Sequence, residues 1–499
     1  MTTMETAAED MPARQAGVRR GIENLTRETR VLFSPWSRYV RGVGLGQHPM
    51  NFDPRLASGI EEIVAILEKR APSNPFSAFA GKLTSLILAT NTYYDPLPAD
   101  RATMTLVEIV EGLSAIEDRF LHATACTILV EACVAQGWDV GVLTRPRFDV
   151  VRILLDEIRQ IRFHEVTDTH GEKGPYERLQ MYVNLFVALG KLGRVDALTQ
   201  AGSHHVREAL DLMSEVPSHY YRGRGGAMVI AMASVLGFDD VVCSDRRDYL
   251  KELLAYYDEK FGVAIPWDDT YPLMITLNTI AILRKPEYLT YRRDWLAEAA
   301  RLFRSLPAKQ LFPMGQYYFV ALHNLGLLSD VFPDLEGAIR ELAMQYAGYT
   351  KADPLDYSMY DSYTIETAWL FADLSVIPAL IMRRAASIFK TFDSEEPYRN
   401  AAYGGSYVLS ACAETGLAGR LFEPSDDYDG EAPFLWTVRR FGRPVLDGRS
   451  LPYLNHALIN LALRMRGEPE RDGPLFRSVR FLGESALRSE GRTPVCKTN

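Results

Sequence analysis

Two kinds of helical segment alternate along the chain, and this alternation limits the architecture more than any other feature. One kind is apolar on every side and rich in small residues: RGRGGAMVIAMASVLG (222–237), TYPLMITLNTIAIL (270–283), GQYYFVALHNLGLL (315–328), AAYGGSYVLSACAETG (401–416) and PYLNHALINLALRM (452–465). The other is amphipathic and charged: DRRDYLKELLAYYDEKF (245–261), YRRDWLAEAARLFRSL (291–306) and DLEGAIRELAMQYAGY (334–349). A helix apolar all round must be surrounded by protein, whereas one with a polar face can border water. Inner helices ringed by outer ones are therefore expected, at a pair spacing of about 40–50 residues.

Helical periodicity predicts segments at 58–70, 76–90, 103–115, 118–136, 147–161, 177–193, 203–215, 223–237, 245–260, 270–283, 289–305, 315–328, 334–347, 364–390, 401–415 and 451–466. No sustained alternating strand pattern appears between them. The fold class read from this is all-α, an (α/α)6-type toroid or barrel of inner and outer helices. An open superhelical solenoid is the competing arrangement, because its helix pairs have similar length. The expected organisation is an N-terminal arm over 1–57, partly disordered, one barrel domain over 58–466, and a C-terminal tail over 467–499.

The net charge of −9 argues against nucleic acid, whose phosphates need concentrated Lys and Arg. The five cysteines, Cys126, Cys133, Cys243, Cys412 and Cys496, form no CxxC pair, so neither a zinc cluster nor a disulfide framework is expected. Cys126 and Cys133 lie seven apart on one helix face and read as small buried hydrophobes. The polar opening MTTMETAAEDMPARQAG lacks a signal-peptide pattern, and no stretch of about 18 apolar residues lacks a charge. The expected location is cytoplasmic, with no membrane span. Association into a homo-oligomer is compatible with the sequence.

The stretches in front of the inner segments carry the chemistry. EKGPYERLQMY, SHYYRGRGG, IPWDDTYP, PMGQYY, YSMYDSYTIE, AAYGGSY and PYLNHA each place Tyr, His, Arg, Asp or Glu at such a mouth. Inner helices running parallel would gather these mouths on one rim, above an apolar funnel. Three constellations follow. In SHYYRGRGGAM, His219, Tyr220, Arg222 and Arg224 stand among glycines that permit close approach of an anion or substrate; a tight turn with a salt-bridged Arg is the plain alternative. In PWDDTYP, Asp268, Asp269 and Tyr271 open a helix. In YSMYDSYTIE, Asp361, Tyr363 and Glu366 do the same. A carboxylate at an apolar mouth is suited to proton transfer, but Asp is also an ordinary N-cap. His456 on an inner segment is a further candidate, and Tyr317, Tyr403 and Tyr453 would line the cavity.

PWDDTYPLMITLNTIAIL resembles the acid motif of class II terpene cyclases, where an Asp-x-Asp-Asp-Thr segment opens an inner helix of an (α/α) barrel. Asp268 would match the proton-donating Asp, Asp269 the one after it, and Pro266 replaces the first Asp. The order HYYRGRGGAMVIAMASVLGFDD, YTIETAWLFADLS, YGGSYVLSACAETGLAGRLF and PYLNHALINLAL resembles the linalool dehydratase/isomerase-like (α/α)6 barrels over residues 175–466. Both resemblances imply an apolar cavity acting on an isoprenoid-like alkene or alcohol without a redox cofactor.

The expected function is a cofactor-independent lyase, isomerase or cyclase acting on a hydrophobic, terpenoid small molecule. Asp268 or Asp361 would donate the proton, tyrosines would face the developing cation, and Glu366 or His456 would accept the departing proton. Arg222 or Arg224 would hold a phosphate, and Mg²⁺ is expected only if the substrate is a diphosphate; no metal site is expected otherwise. A carbohydrate-active hydrolase or lyase, with Asp268 and Glu366 as its carboxylates, and a non-enzymatic helical scaffold are the alternatives.

Overall fold

The computed structural model describes residues 50–51, 53–71, 73–92, 97–146, 148–160, 167–168, 171–172, 174–199, 204–262, 266–348, 354–372, 374–377, 401–414, 417–441 and 451–466. Most of the expected N-terminal arm, the C-terminal tail and Cys496 lie outside these residues.

The described chain is mostly helical, so the all-α class holds. The helices start where local chemistry satisfies their free N–H groups. Asp53 accepts from Arg55 N and Leu56 N ahead of Pro54–Arg70. Asn74 accepts from Ser77 N ahead of Pro75–Asn91. Ser218, Asp248, Asp294 and Asp334 cap His219–Val235, Tyr249–Lys260, Trp295–Ser305 and Leu335–Ala347 in the same way. Gly137, in the left-handed region at φ 66°, ends Arg119–Gln136.

The two kinds of helix separate as their composition requires. In Trp295–Ser305 only Trp295, Ala299, Leu302 and Phe303 are buried, which is one face. In His219–Val235 burial is continuous from Gly223 to Ala233. Helices of the enclosed kind pack in chain order: 75–91, 119–136, 174–192, 219–235, 266–283, 308–324, 354–371, 401–414 and 451–464. Helix 451–464 in turn packs on helix 75–91. The amphipathic helices 54–70, 99–112, 150–160, 249–260, 295–305 and 335–347 pack against members of this run.

Neighbours in the middle of the run are parallel. The Tyr271 hydroxyl donates to that of Tyr317, and Asn324 Nδ2 donates to Asn278 Oδ1 at 2.6 Å, with the same sequence offset of 46 in both pairs. A constant offset one and two turns further along means parallel axes, since antiparallel helices would show a constant sum. Contacts between helices 219–235 and 266–283 keep offsets of 50 and 52, so this pair is parallel too.

Among the described residues three two-residue strand pairs accompany the helices; Met50–Asn51 runs parallel to Met465–Arg466 and brings together residues far apart in the chain. Several boundaries differ from the periodicity. The segment expected at 289–305 is a single 3-10 turn, Pro286–Thr290, then a helix from Trp295, with Arg292 at φ 62° between them. The segment expected at 364–390 begins ten residues earlier, at Pro354, and its helix ends at Phe371; residues 378–390 lie outside the described part. Helix Pro433–Arg440 was not among the expected segments. No helix among the described residues is long and apolar enough to cross a membrane.

Candidate functional site

The polar mouths are not loops in front of the inner helices but their first turns. Helix 219–235 begins at His219 rather than 223, and Pro266–Leu283 at Pro266 rather than 270. Likewise Ala308–Asn324 and Pro354–Phe371 begin well before 315 and 364. Gly, Pro and Asp read as breakers in sequence, yet Pro is favoured at a first helical position, and glycine serves where helices approach closely. Gly223 is such a place: a Cβ there would stand 1.8 Å from the Tyr257 hydroxyl oxygen.

Beginning the helices earlier brings two of the candidate residues together. His219 Nε2 lies 2.9 Å from Asp269 Oδ1, and Gly262 N donates to Asp269 Oδ2 at 3.0 Å. Asp269 is 2% exposed, so its charge depends on these donors. With the carboxylate ionised, Nε2 carries the shared proton. In the neutral imidazole Nδ1 then presents a lone pair, and it has no hydrogen-bond partner among the described residues. The Tyr256 and Tyr257 rings flank the imidazole, at 5.8 and 5.1 Å between centroids. This is the arrangement of a proton-transfer group with its orienting acid.

One turn away, Arg224 is buried among tyrosines. Its Nη1 donates to the Tyr220 hydroxyl at 3.1 Å. Its guanidinium stands 5.1 Å from the Tyr271 ring, 5.5 Å from Tyr176 and 5.8 Å from Tyr220. Tyr220 stacks on Tyr271, which meets Tyr317 edge-on at 4.8 Å. Burial works against the Arg224 charge, and the surrounding tyrosine oxygens outweigh it, so the guanidinium is held more firmly protonated than usual. Burial pushes the Tyr220 hydroxyl far above its ordinary range, so it stays neutral. Tyr220, a ring expected to face a substrate cation, thus already faces a protein cation.

Arg222 does not join Arg224. Its Nε donates to Met213 O at 2.9 Å, its Nη2 to Ser214 O, and its guanidinium lies 4.2 Å over the Tyr256 ring. It therefore frames the far side of the His219 site.

The third constellation lies elsewhere in the run. Asp361 sits inside helix 354–371, fully buried, and accepts from the hydroxyl of Tyr346 on outer helix 335–347 at 2.8 Å. It is not an N-cap. Tyr363 is buried with its ring 6.1 Å from Tyr407. His456 is buried on helix 451–464. The side chains of Asp268, Glu366, Tyr403 and Tyr453 lie outside the described residues.

Sequence reasoning missed Tyr176, Tyr256 and Tyr257. The last two read as part of an outer helix; the close approach at Gly223 brings Tyr257 to the site, and Tyr256 reaches it through His219 and Arg222. The pair His204-His205 reads as a surface pair, but His205 is buried against Glu208, with Nδ1 3.0 Å from its carboxylate. Cys126 and Cys133 are fully buried as expected; burial pushes the Cys133 thiol up to about 12 and Cys126 higher still. No group of three or more His, Cys, Asp or Glu side chains placed to hold a metal occurs among the described residues.

Comparison of the chain with protein-family profiles, with curated proteins and with solved structures finds no match.

Proposed function

We propose that the chain is an acid–base enzyme of the lyase, isomerase or cyclase type, acting in the cytoplasm without a cofactor on a hydrophobic terpenoid molecule. The observation that carries the reading is the part-buried His219–Asp269 pair at the first turns of two parallel inner helices beside an aromatic cluster. His219 transfers the proton and Asp269 holds its tautomer. Arg224, held among the tyrosines, or Arg222, bonded to backbone carbonyls, takes an anionic part of the substrate such as a phosphate. Asp268 and Glu366 remain the candidates for a second proton-transfer group.

We further propose that the helices form an (α/α) toroid. Supporting this, helix 451–464 packs back on helix 75–91, and strand 465–466 pairs with strand 50–51. The run counts nine helices among the described residues, so the ring proposed is larger than six pairs.

The test is incubation with prenyl alcohols and diphosphates, with and without Mg²⁺, followed by gas chromatography of the products. Turnover is expected, reduced about 10²–10⁴-fold in His219→Ala and strongly in Asp269→Asn, and unchanged in the exposed control Glu336→Gln. A folded protein that turns over no prenyl substrate would remove the terpenoid assignment. Turnover undiminished in His219→Ala would remove the dyad.

A further inference from the structure

A cleft lies at the opposite ends of the same two helices. It has a volume of about 620 Å³ and is built from the turn before helix 249–260 and the 3-10 turn 286–290. Helix 219–235 has 17 residues, so at 1.5 Å per residue this cleft stands about 25 Å from the His219 end. It is independent of the proposed reaction site.

The charges that line the cleft cancel. Arg246, Arg247, Lys251 and Lys285 face Asp245, Asp248, Glu252 and Glu287. Half of these satisfy one another. Arg247 makes two bonds to Glu252, through Nε at 2.8 Å and Nη2 at 3.1 Å. Asp248 accepts from the Tyr288 hydroxyl and from Lys251 N, and Lys251 Nζ stands 3.4 Å from it. Among the described residues, Arg246, Lys285, Asp245 and Glu287 form no ion pair. Asp245, Arg246 and Glu287 are exposed and Lys285 half-buried, so two cations and two anions are open to a ligand. A simple anion would meet Asp245 and Glu287, and a simple cation would meet Arg246 and Lys285. A ligand carrying both charges, separated and summing to zero, offends neither.

We propose that this cleft binds a zwitterionic small molecule, a free α-amino acid. Arg246 and Lys285 receive its carboxylate, Asp245 and Glu287 its ammonium, and the Arg247–Glu252 and Asp248–Lys251–Tyr288 contacts fix the walls. Charge-assisted hydrogen bonds of this kind are the stronger ones available to a water-exposed site.

The experiment is isothermal titration calorimetry of the full chain with the free amino acids, each compared with its N-acetyl and its carboxamide form. Saturable binding of one or more amino acids is expected, weakened at least tenfold when either charge is masked. The double variants Arg246→Ala/Lys285→Ala and Asp245→Ala/Glu287→Ala should each lose the binding while keeping the unfolding midpoint, because these side chains carry no ion pair in the fold. Either of three results overturns the proposal: no saturable binding of any amino acid at millimolar concentration, equal binding of the masked forms, or binding of inorganic phosphate in place of amino acids. None of these bears on prenyl turnover, so this proposal and the reaction stand or fall separately.

Discussion

His323 occupies the last turn of helix 308–324, and burial lowers its imidazole from 6.5 to about 4. The folded protein therefore holds this ring neutral over a range where the unfolded chain binds a proton. Protonation then favours unfolding. The stabilising effect of the neutral ring is complete above about pH 6.5 and is lost as pH falls from 6.5 toward 4. At 1.36 kcal/mol per unit, the expected loss between pH 7 and 4.5 is about 2 kcal/mol. Urea denaturation of the native chain and of His323→Gln at both values checks it: the variant should lose less stability on acidification by about this amount. Identical losses would mean the ring does not titrate as its burial requires. The same scale separates what was readable at the candidate site. His219 and Asp269 both stand out as candidates from residue type and position. Their partnership does not, because no local pattern joins residues 50 apart.

At the scale of elements, close approach explains the helix starts that periodicity misses. Gly223 lets the Tyr257 hydroxyl from helix 249–260 reach the backbone of helix 219–235. Gly223→Ala would place a methyl 1.8 Å from that oxygen and 2.9 Å from Pro272 Cβ. Alanine's better helix propensity, up to about 1 kcal/mol, cannot offset this overlap, and a net loss of about 1–3 kcal/mol is expected. Gly112 is the opposite case. It ends helix 99–112 at φ −68° with nothing within 4 Å of its added Cβ. Gly112→Ala should stabilise by about 0.4–1 kcal/mol. Chemical denaturation of the two variants reads both signs; a neutral Gly223→Ala would mean the helices can part without cost. For the outer helices the legible part is the buried side, since a one-sided apolar pattern such as Trp295, Ala299, Leu302 and Phe303 points to a single face, although this helix starts six residues past the expected 289. The inner helices lack such a face. Periodicity places the ends of 75–91, 119–136, 401–414 and 451–464 to within two residues, but it misses the starts of 219–235, 266–283, 308–324 and 354–371, whose polar first turns read as loops.

For the whole molecule the exposed prediction concerns closure. Asn51 and Arg466 are partners on adjacent parallel strands. Such strands lie about 4.8 Å apart, within the range of Cα separations that a disulfide spans. Asn51→Cys combined with Arg466→Cys should cross-link within one chain under mild oxidation. The product should run faster on a non-reducing gel and gain about 2–4 kcal/mol in stability. Chains that stay uncross-linked while folded would indicate separated ends and an open solenoid.

The sequence by itself determined the helical class, the division into enclosed and water-facing helices, and many of the caps. Each of these depends on residues within a turn or two of one another, where side-chain polarity and backbone hydrogen bonding act directly. Tertiary structure alone decided that His219 meets Asp269, that Arg224 turns to tyrosines while Arg222 turns to carbonyls, and that Asp361 binds an outer-helix tyrosine. These pairings follow from the register between packed helices. That register is set by the fit of whole surfaces, such as the space at Gly223, and not by any short run of residues.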